Sequence, residues 1–420
     1  MRLTASASIA AISLLAAAWS LHAARRPHYG GTLRIDMQAT DAASNPFIDQ
    51  VFETLVRFDE KGEPRPLLAT LWTHDTSRHR WVFTLRKNVI LHNGAPWNPP
   101  DGEVTFDDSR PIEDILRDLA QPAKAVVVHA PDGTLLGTGP FRIASQDPGK
   151  AIVLEANEAH WGGRPYLDRV EIRAGRAPRD QALDFELDRA DVVELPLAEV
   201  RRAQQQGVRV VVSAPGQTLA LIMDTTRPDA DRLRDALGLS IDRSAIRNVI
   251  LQRQGDASGA LLPQWLTGYA FLFPADRNLT RARELAANAA PLAFAWDAQS
   301  PLLRSIAERI ILNAAEAGLT LHAAGSEQPD VRLILLRIPS PDAKLALQNL
   351  ASMLNAPLAP ETSANPESLY QAERVLIATR RIIPLFHLPV AYELSPNVRG
   401  WTTDACGRWQ LADTWLDARP

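Results

Sequence analysis

The side chains that could carry out chemistry in this chain are few and scattered. His74, Asp75 and His79 form the one local histidine cluster beyond the N-terminal segment. Imidazole and carboxylate groups are common zinc ligands, so a metal site is one reading of this cluster. The stretch lies between a helix-like and a strand-like segment, and we interpret it as a solvated turn. We predict no metal site.

Paired carboxylates are the second candidate for chemistry. Asp107–Asp108, and Glu186 with Asp188, have the residue types needed for general acid and base catalysis. No surrounding apolar pattern indicates a pocket that would separate their pKa values. The chain also lacks the Gly-x-Ser-x-Gly, His-Glu-x-x-His, phosphate-loop and dinucleotide-binding motifs. We therefore predict that the protein is not an enzyme, and an exported hydrolase using paired acids remains a minor alternative.

Composition limits the remaining classes of protein. The chain has 420 residues, and at roughly 150 residues per domain it should form about two to three domains. The nearly balanced net charge of −4 argues against nucleic-acid binding, which requires a basic face. The single cysteine, Cys406, excludes a disulfide within the chain and any metal site built from several cysteines.

The N-terminus has the pattern of an export signal. An apolar run from Ile9 to Leu21 follows Arg2, and small residues occur at Ala23 and Ala24. At roughly 13 residues the run is short for a membrane span, which needs about 20. We predict that residues 1–24 are a signal peptide and that the protein is periplasmic, without a lipoprotein cysteine. An uncleaved N-terminal anchor is the alternative.

The elements that follow alternate between helices and strands. The segment Pro301 to Ala317 carries an apolar stripe at helical spacing, Gly318 is placed to end that helix, and Leu319–Leu321 reads as a strand. Asp242 is placed to cap a helix over Arg243–Leu251. This alternation predicts an α/β protein with mixed sheets. Ten tryptophans against five tyrosines suit a cleft that holds a ligand by stacking and a few polar contacts.

Segments spread from Gly30 to about Trp401 together resemble one known family. It is the extracytoplasmic solute-binding proteins of peptide and nickel ABC transporters (solute-binding protein family 5). The similar segments are Gly30–Ile35, Val51–Val56, Phe83–Val89 with His92–Pro96, Gly137–Phe141, Trp161–Pro165, Arg232–Ile246, Pro384–Phe386 and Gly400–Trp401. This chain looks like a shortened member of that family.

The resemblance implies a two-lobed, periplasmic-binding-protein-like α/β fold of the large peptide-binding class (type II), with mixed sheets. We expect lobe I to comprise residues 30–248 plus 386–420, including a reduced subdomain at about 45–137. Lobe II would comprise residues 249–385. The chain would cross between the lobes near Val249–Gly255 and again near Pro384–Pro389.

The resemblance also implies a function. The protein would be the extracytoplasmic component of an ABC importer, capturing a peptide-like or other small solute between its lobes and delivering it to the membrane permease and ATPase. We expect no cofactor, no nucleic-acid partner and a monomer. The alternative is a degenerate scaffold that acts as a sensor or interaction protein without transport.

The departures from the family motivate that alternative. Fewer than thirty residues connect Ser109 to Gly137, where the family usually has several more elements. Relatives that bind a peptide's amino group use an acidic residue before the return strand. The stretch from Leu333 offers no convincing equivalent, since Asp342 lies in a predicted loop.

The resemblance suggests five ligand-contacting residues. They are Asn45 and Phe47 from a short loop in lobe I, Trp265 early in lobe II, and His387 and Tyr392 at the return crossing. For each of them, packing in the core is the alternative role. A histidine in the cleft could bind a carboxylate or a metal–chelate ligand.

Overall fold

The computed structural model describes residues 26–38, 45–75, 77, 79–97, 101–224, 226, 229–269, 273–356, 358–359 and 362–417. The predicted signal peptide, residues 1–24, lies outside these ranges. Within them, no helix combines the length and the apolar composition needed to cross a bilayer.

The chain forms its secondary structure in three successive stretches. The first contains β1 (Thr32–Asp36), β2 (Val56–Phe58), β3 (Pro64–Pro66), β4 (Ala69–Asp75), β5 (Arg80–Leu85), β6 (Glu103–Asp107), α1 (Ile112–Leu119), β7 (Val128–His129), β8 (Leu135–Leu136), β9 (Phe141–Asp147), β10 (Ala151–Ala156), β11 (Arg169–Arg173), α2 (Pro178–Glu186), β12 (Val192–Glu194), α3 (Val200–Gln205) and β13 (Val210–Val212). The second contains β14 (Gln217–Met223), α4 (Ala230–Ser240), α5 (Arg243–Ala245) with a π-helical turn (Ile246–Ile250), β15 (Asp256–Ala257), α6 (Gln264–Thr267), α7 (Leu279–Ala286), β16 (Leu292–Ala295), α8 (Pro301–Glu316), β17 (Leu321–Ala323), β18 (Val331–Arg337), α9 (Ala343–Met353), α10 (Pro366–Ala378) and β19 (Ile382–Leu388). The third contains β20 (Ala391–Leu394), β21 (Val398–Arg399), β22 (Thr402–Thr403), β23 (Trp409–Gln410) and β24 (Trp415–Leu416).

A seven-stranded mixed sheet builds lobe I, in the order β13–β20–β12–β1–β11–β10–β9. Strand β1 is parallel to its neighbours β11 and β12, whereas the other pairs are antiparallel. The alternation along β1 buries Leu33 and Ile35. Strand β20 follows lobe II in the sequence, so lobe I is built from two separate stretches of the chain.

A small subdomain, built around β4, β5, β6 and α1 with its own apolar core, is attached to lobe I. Its sheet has the order β4–β5–β6, and its core packs Phe83 and Leu85 against Ile115 of α1. The segments of chain before and after the subdomain are in close contact with each other. A Cβ atom at Gly139 would lie only 2.5 Å from the carbonyl oxygen of Gln50, so glycine is required there.

A six-stranded sheet builds lobe II, in the order β15–β19–β14–β18–β16–β17. The predicted helix begins at Pro301, and its N-cap Ser300 accepts a hydrogen bond from the Leu303 amide at 3.3 Å. The predicted cap at Asp242 is also present, since it accepts from the Ala245 amide at 2.8 Å. These local expectations are confirmed.

The chain crosses between the lobes at different places from those we expected. Strand β14 pairs with β18 and β19 of the second sheet, so lobe II begins at Gln217 and the first crossing is residues 213–216. The expected crossing at Val249–Gly255 instead follows α5 within lobe II. Strand β19 belongs to lobe II as far as Leu388, which leaves residues 389–390 as the return crossing.

The two crossings are joined to each other. The amide of Ser213 donates to the carbonyl of Val390 at 2.9 Å, and the amide of Val390 donates to Oγ of Ser213 at 3.0 Å. Close by, Leu197 and Val200 of lobe I share a buried apolar cluster with Leu219 of lobe II. The lobes are therefore held in fixed register at this hinge.

Candidate functional site

A cavity of about 880 Å³ lies between the two lobes. Lobe I supplies one wall from Gln38 and from the end of β12 with the turn after it, residues 194–198. Lobe II supplies the other wall from β18, from the end of β16 and from the first turn of α8. The return crossing, residues 389–391, completes the lining. This volume is within the range of about 300–1,000 Å³ that is usual for small-molecule sites.

The hinge end of this cleft is polar. Gln217 and Arg337 line it from lobe II and are in register across β14 and β18. Glu194 lines it from lobe I, where its Oε2 accepts a hydrogen bond from the Gln38 amide at 2.7 Å. Burial raises the pKa of Glu194 above its usual value, and the positive charge of Arg337 opposes that rise. Opposite charges thus approach from the two lobes, although the two side chains form no ion pair with each other.

The rest of the cleft is mainly apolar. Leu195 contributes from lobe I, and Leu302 and Leu335 contribute from lobe II. Trp296 also lines the cleft, with its ring centroid 5.2 Å from that of Phe294. The arrangement can enclose an amphipathic solute, with polar recognition at the hinge end and apolar contact elsewhere.

Outside the cleft, an ion-pair cluster joins the lobes, and we call it the interlobe clasp. It consists of Asp114 and Arg117 on α1 and of Asp342 and Lys344 at the start of α9. Nε of Arg117 lies 2.9 Å from Oδ2 of Asp342, and Nζ of Lys344 lies 2.7 Å from Oδ1 of Asp114. The subdomain of lobe I is thereby tied to lobe II.

None of the five predicted contact residues is among those that line the cavity. Phe47 and Tyr392 are each 1% exposed and pack around Trp409 in the core of lobe I, with centroid distances of 5.8 and 6.1 Å. Asn45 is half-buried two residues before Phe47. The structure therefore brings Phe47 and Tyr392 together, but as core residues.

The other two predicted residues lie beside the crossings. Trp265 is half-buried and its Nε1 donates to the carbonyl of Pro215 at 3.0 Å. His387 is 3% exposed on β19, and burial lowers the pKa of its imidazole to about 4. A neutral, enclosed imidazole of this kind fits the core role that we kept as the alternative.

Sequence reasoning did not select the groups that do line the cleft. Glu194 ends the mostly buried strand β12, and Arg337 ends the half-buried strand β18. A charged residue directly after an apolar run is a visible signal. Ligands of α/β proteins commonly bind at the carboxyl ends of strands. Trp296 follows the apolar strand β16 in the same way.

No group of three histidine, cysteine, aspartate or glutamate side chains that could hold a metal ion occurs in the part of the chain that the structure describes. The Cys406 thiol is buried, and burial raises its pKa to about 12. A thiol with so high a pKa is a weak nucleophile and a weak metal ligand at neutral pH.

Two α/β lobes, two crossings and a solute-sized cavity between the lobes define the class of two-lobed periplasmic binding proteins. The chain matches the family model for bacterial extracellular solute-binding proteins, family 5 Middle, over residues 101–359. This match covers more than half of the chain, and the chain belongs to that family.

Individual relatives agree with this assignment. The chain is 33% identical over 158 residues to the uncharacterized protein YhjP of Bacillus subtilis, covering 30% of this chain and 27% of that protein. It is 24% identical over 293 residues to the nickel-binding periplasmic protein of Escherichia coli, covering 56% of this chain and 55% of that protein. The matched regions thus span about half or less of these relatives.

The fold is also that of solved binding proteins. A dipeptide-binding protein from Pseudoalteromonas, solved in complex with Met-Leu, has a TM-score of 0.76 and 16% sequence identity. The alignment covers 92% of this chain and 100% of that one. At this identity the likeness shows the fold.

Proposed function

We propose that this protein is the extracytoplasmic solute-binding component of an ABC importer. It captures a peptide-like or other small solute between its lobes and delivers it unchanged to a membrane permease and its ATPase. The protein acts as a monomer in the periplasm after export, without a cofactor.

The cavity of about 880 Å³ between the hinged lobes is the observation that carries this proposal. Each lobe contributes one wall, so contacts to a solute from both walls form only when the lobes are closed. The relatives that bind dipeptide or nickel support a solute of that size range.

The proposal is tested by thermal unfolding and small-angle X-ray scattering with a panel of solutes. The panel contains Met-Leu and other dipeptides, nickel–histidine chelates and sugars. A solute at a hundredfold excess over its Kd should stabilise the protein by about 2.7 kcal/mol. It should also reduce the radius of gyration as the lobes close on it.

A matched pair of variants separates the cleft from the rest of the surface. Ser305→Trp fills part of the cleft wall and should abolish the response to the solute, whereas Ser352→Trp lies on an exposed face of α9 and should not. If no solute changes unfolding or scattering of the wild type, transport is contradicted and the sensor or interaction role takes its place.

A further inference from the structure

The charged groups of the interlobe clasp are more buried than is usual for ion pairs between exposed helices. The side chain of Lys344, in the first turn of α9, is only 9% exposed, and its Nζ pairs with Asp114 of the subdomain. Lysine side chains are rarely so enclosed unless they are paired. The partner that Lys344 of lobe II requires is therefore supplied by lobe I.

Helix α1 has two faces with different partners. Ile115 and Leu116 are buried in the apolar core of the subdomain. Asp114 and Arg117 instead contact the start of α9 in lobe II. The apolar face thus anchors the helix in its own subdomain, and the charged face is used for contact with the other lobe.

The partners are positioned by contacts within each lobe. On α1, Nη1 of Arg117 lies 3.0 Å from Oδ1 of Asp114. On lobe II, Oδ1 of Asp342 accepts from the Leu345 amide, and the Asp342 amide donates to Oγ of Ser340 at 3.1 Å. Ion pairs contribute little when two long side chains must be ordered to form them. Here that entropic cost is reduced, because the groups are already held in place.

Main-chain atoms make a second contact between the same two regions. The turn between β2 and β3 places Gly62 against lobe II, where a Cβ atom would lie 3.1 Å from the carbonyl oxygen of Pro341. Val56 of this hairpin is buried in the same core as α1. The subdomain therefore contacts one segment of lobe II, residues 341–344, from two of its elements.

From these contacts we propose that the subdomain is a latch that holds lobe II in the closed position when no solute is bound. A contact that exists in only one of two conformations shifts the population toward that conformation. The solute-free protein is therefore mainly closed, and it opens when the clasp is broken. The inference goes beyond the proposed function, because it concerns the empty protein and does not depend on which solute is carried.

Pulsed electron paramagnetic resonance between two spin labels measures the separation of the subdomain and lobe II. Leu71→Cys on β4 and Met353→Cys at the end of α9 are exposed attachment positions, whereas the thiol of Cys406 is buried. Protein refolded from urea, and thus freed of copurified solute, should give one main distance. Lys344→Asp places an acid opposite Asp114 and should raise the ratio of open to closed molecules about tenfold or more.

A reciprocal exchange separates the latch from a general loss of stability. Asp114→Lys combined with Lys344→Asp restores opposite charges and should return the labels to the short distance. The control Glu284→Lys reverses a charge in an exposed ion pair within α7 and should leave the distance unchanged. If Lys344→Asp does not fold, the milder Lys344→Gln takes its place and should also add a population at longer distance.

The latch is overturned if the folded Lys344 variant gives the same distance distribution as the wild type. A solute-free wild type that is mainly open, or an exchanged pair that does not restore the short distance, overturns it as well. The carrier function is independent of these results, because the solute panel tests it separately.

Discussion

Removing one charge from the interlobe clasp should weaken the protein by a predictable amount. Asp342 has two roles, because its Oδ2 pairs with Nε of Arg117 while its Oδ1 accepts from the Leu345 amide at the start of α9. Asparagine caps a helix about as well as aspartate. The substitution Asp342→Asn therefore keeps the cap, removes the ion pair and places an amide NH2 group, itself a donor, against Nε of Arg117.

The burial of the ion pair between Arg117 and Asp342 sets the size of the expected loss in unfolding free energy. The side chains of Arg117 and Asp342 are 11% and 6% exposed. Exposed pairs contribute about 0.2–1 kcal/mol, whereas removing one partner of a buried pair costs about 3–5 kcal/mol. Arg117 keeps its second contact, with Asp114 at 3.0 Å, so it is not left unpaired. We expect the unfolding free energy to fall by about 1.5–3 kcal/mol.

A double-mutant cycle with Arg117→Gln measures the pair itself. Urea unfolding of the wild type, both single variants and the double variant should give a coupling free energy of at least about 1 kcal/mol. The control is Glu284→Gln, which breaks an exposed pair with Arg281 whose side chains are 57% and 56% exposed. That change should cost less than about 0.5 kcal/mol. A clasp coupling no larger than the control effect would refute the reasoning.

Three further changes test the core. Gly139→Ala should prevent folding, because the added Cβ would lie 2.5 Å from the carbonyl oxygen of Gln50. The control is Gly325→Ala, whose added Cβ would have no atom within 4 Å, and this variant should express as soluble protein. Glu53→Gln should lower the unfolding free energy by about 1–3 kcal/mol in urea, because this buried carboxylate accepts hydrogen bonds from three side chains. The pKa of His387 is about 6.5 in the unfolded chain and about 4 in the folded protein, where the imidazole is buried. As the pH falls from 6.5 to 4, the unfolded chain therefore binds the proton first, and the free energy of unfolding should decrease by on the order of 3 kcal/mol. The stability of His387→Gln, followed from pH 7 to 4, should fall less steeply than that of the wild type; parallel curves would contradict this.

Local features of the fold were predictable from the sequence because local interactions determine them. The helix that begins at Pro301 was signalled by its apolar stripe, by Ser300 before it and by Gly318 after it. Gly318 adopts φ +82°, a conformation that other residues rarely tolerate. In such cases the residues that decide the structure are within a few positions of each other.

The lobe boundary was not predictable in the same way, because a pairing between distant residues decides it. Strand β14 is joined to β18, with Gln217 opposite Arg337, and to β19, with Gln217 opposite Leu388. Nothing within β14 itself indicates which sheet it enters, since an apolar strand can pair in either lobe. The helix cap at Asp242, by contrast, is local and was predicted correctly, but it lies inside lobe II and marks no boundary.

The residues that line the cleft were not predictable for the same reason, because distant parts of the chain bring them together. Burying a large aromatic ring stabilises a protein most when the ring is fully enclosed. Phe47, Tyr392 and Trp409 are accordingly in the core of lobe I. A single arginine or glutamate at a strand end has no periodic pattern around it, so a search for stacking residues passes over it. Arg337 and Glu194 face one cavity only because β18 and β12 belong to different sheets that the crossings bring together.

The two sets of charges between the lobes differ in how they are satisfied. In the interlobe clasp, Arg117 and Asp342 satisfy each other, so that contact stabilises the closed arrangement without any solute. In the cleft, Glu194 and Arg337 approach from opposite lobes, and the positive charge of Arg337 acts on the Glu194 carboxylate without forming an ion pair. The clasp therefore favours closure whether or not a solute is present.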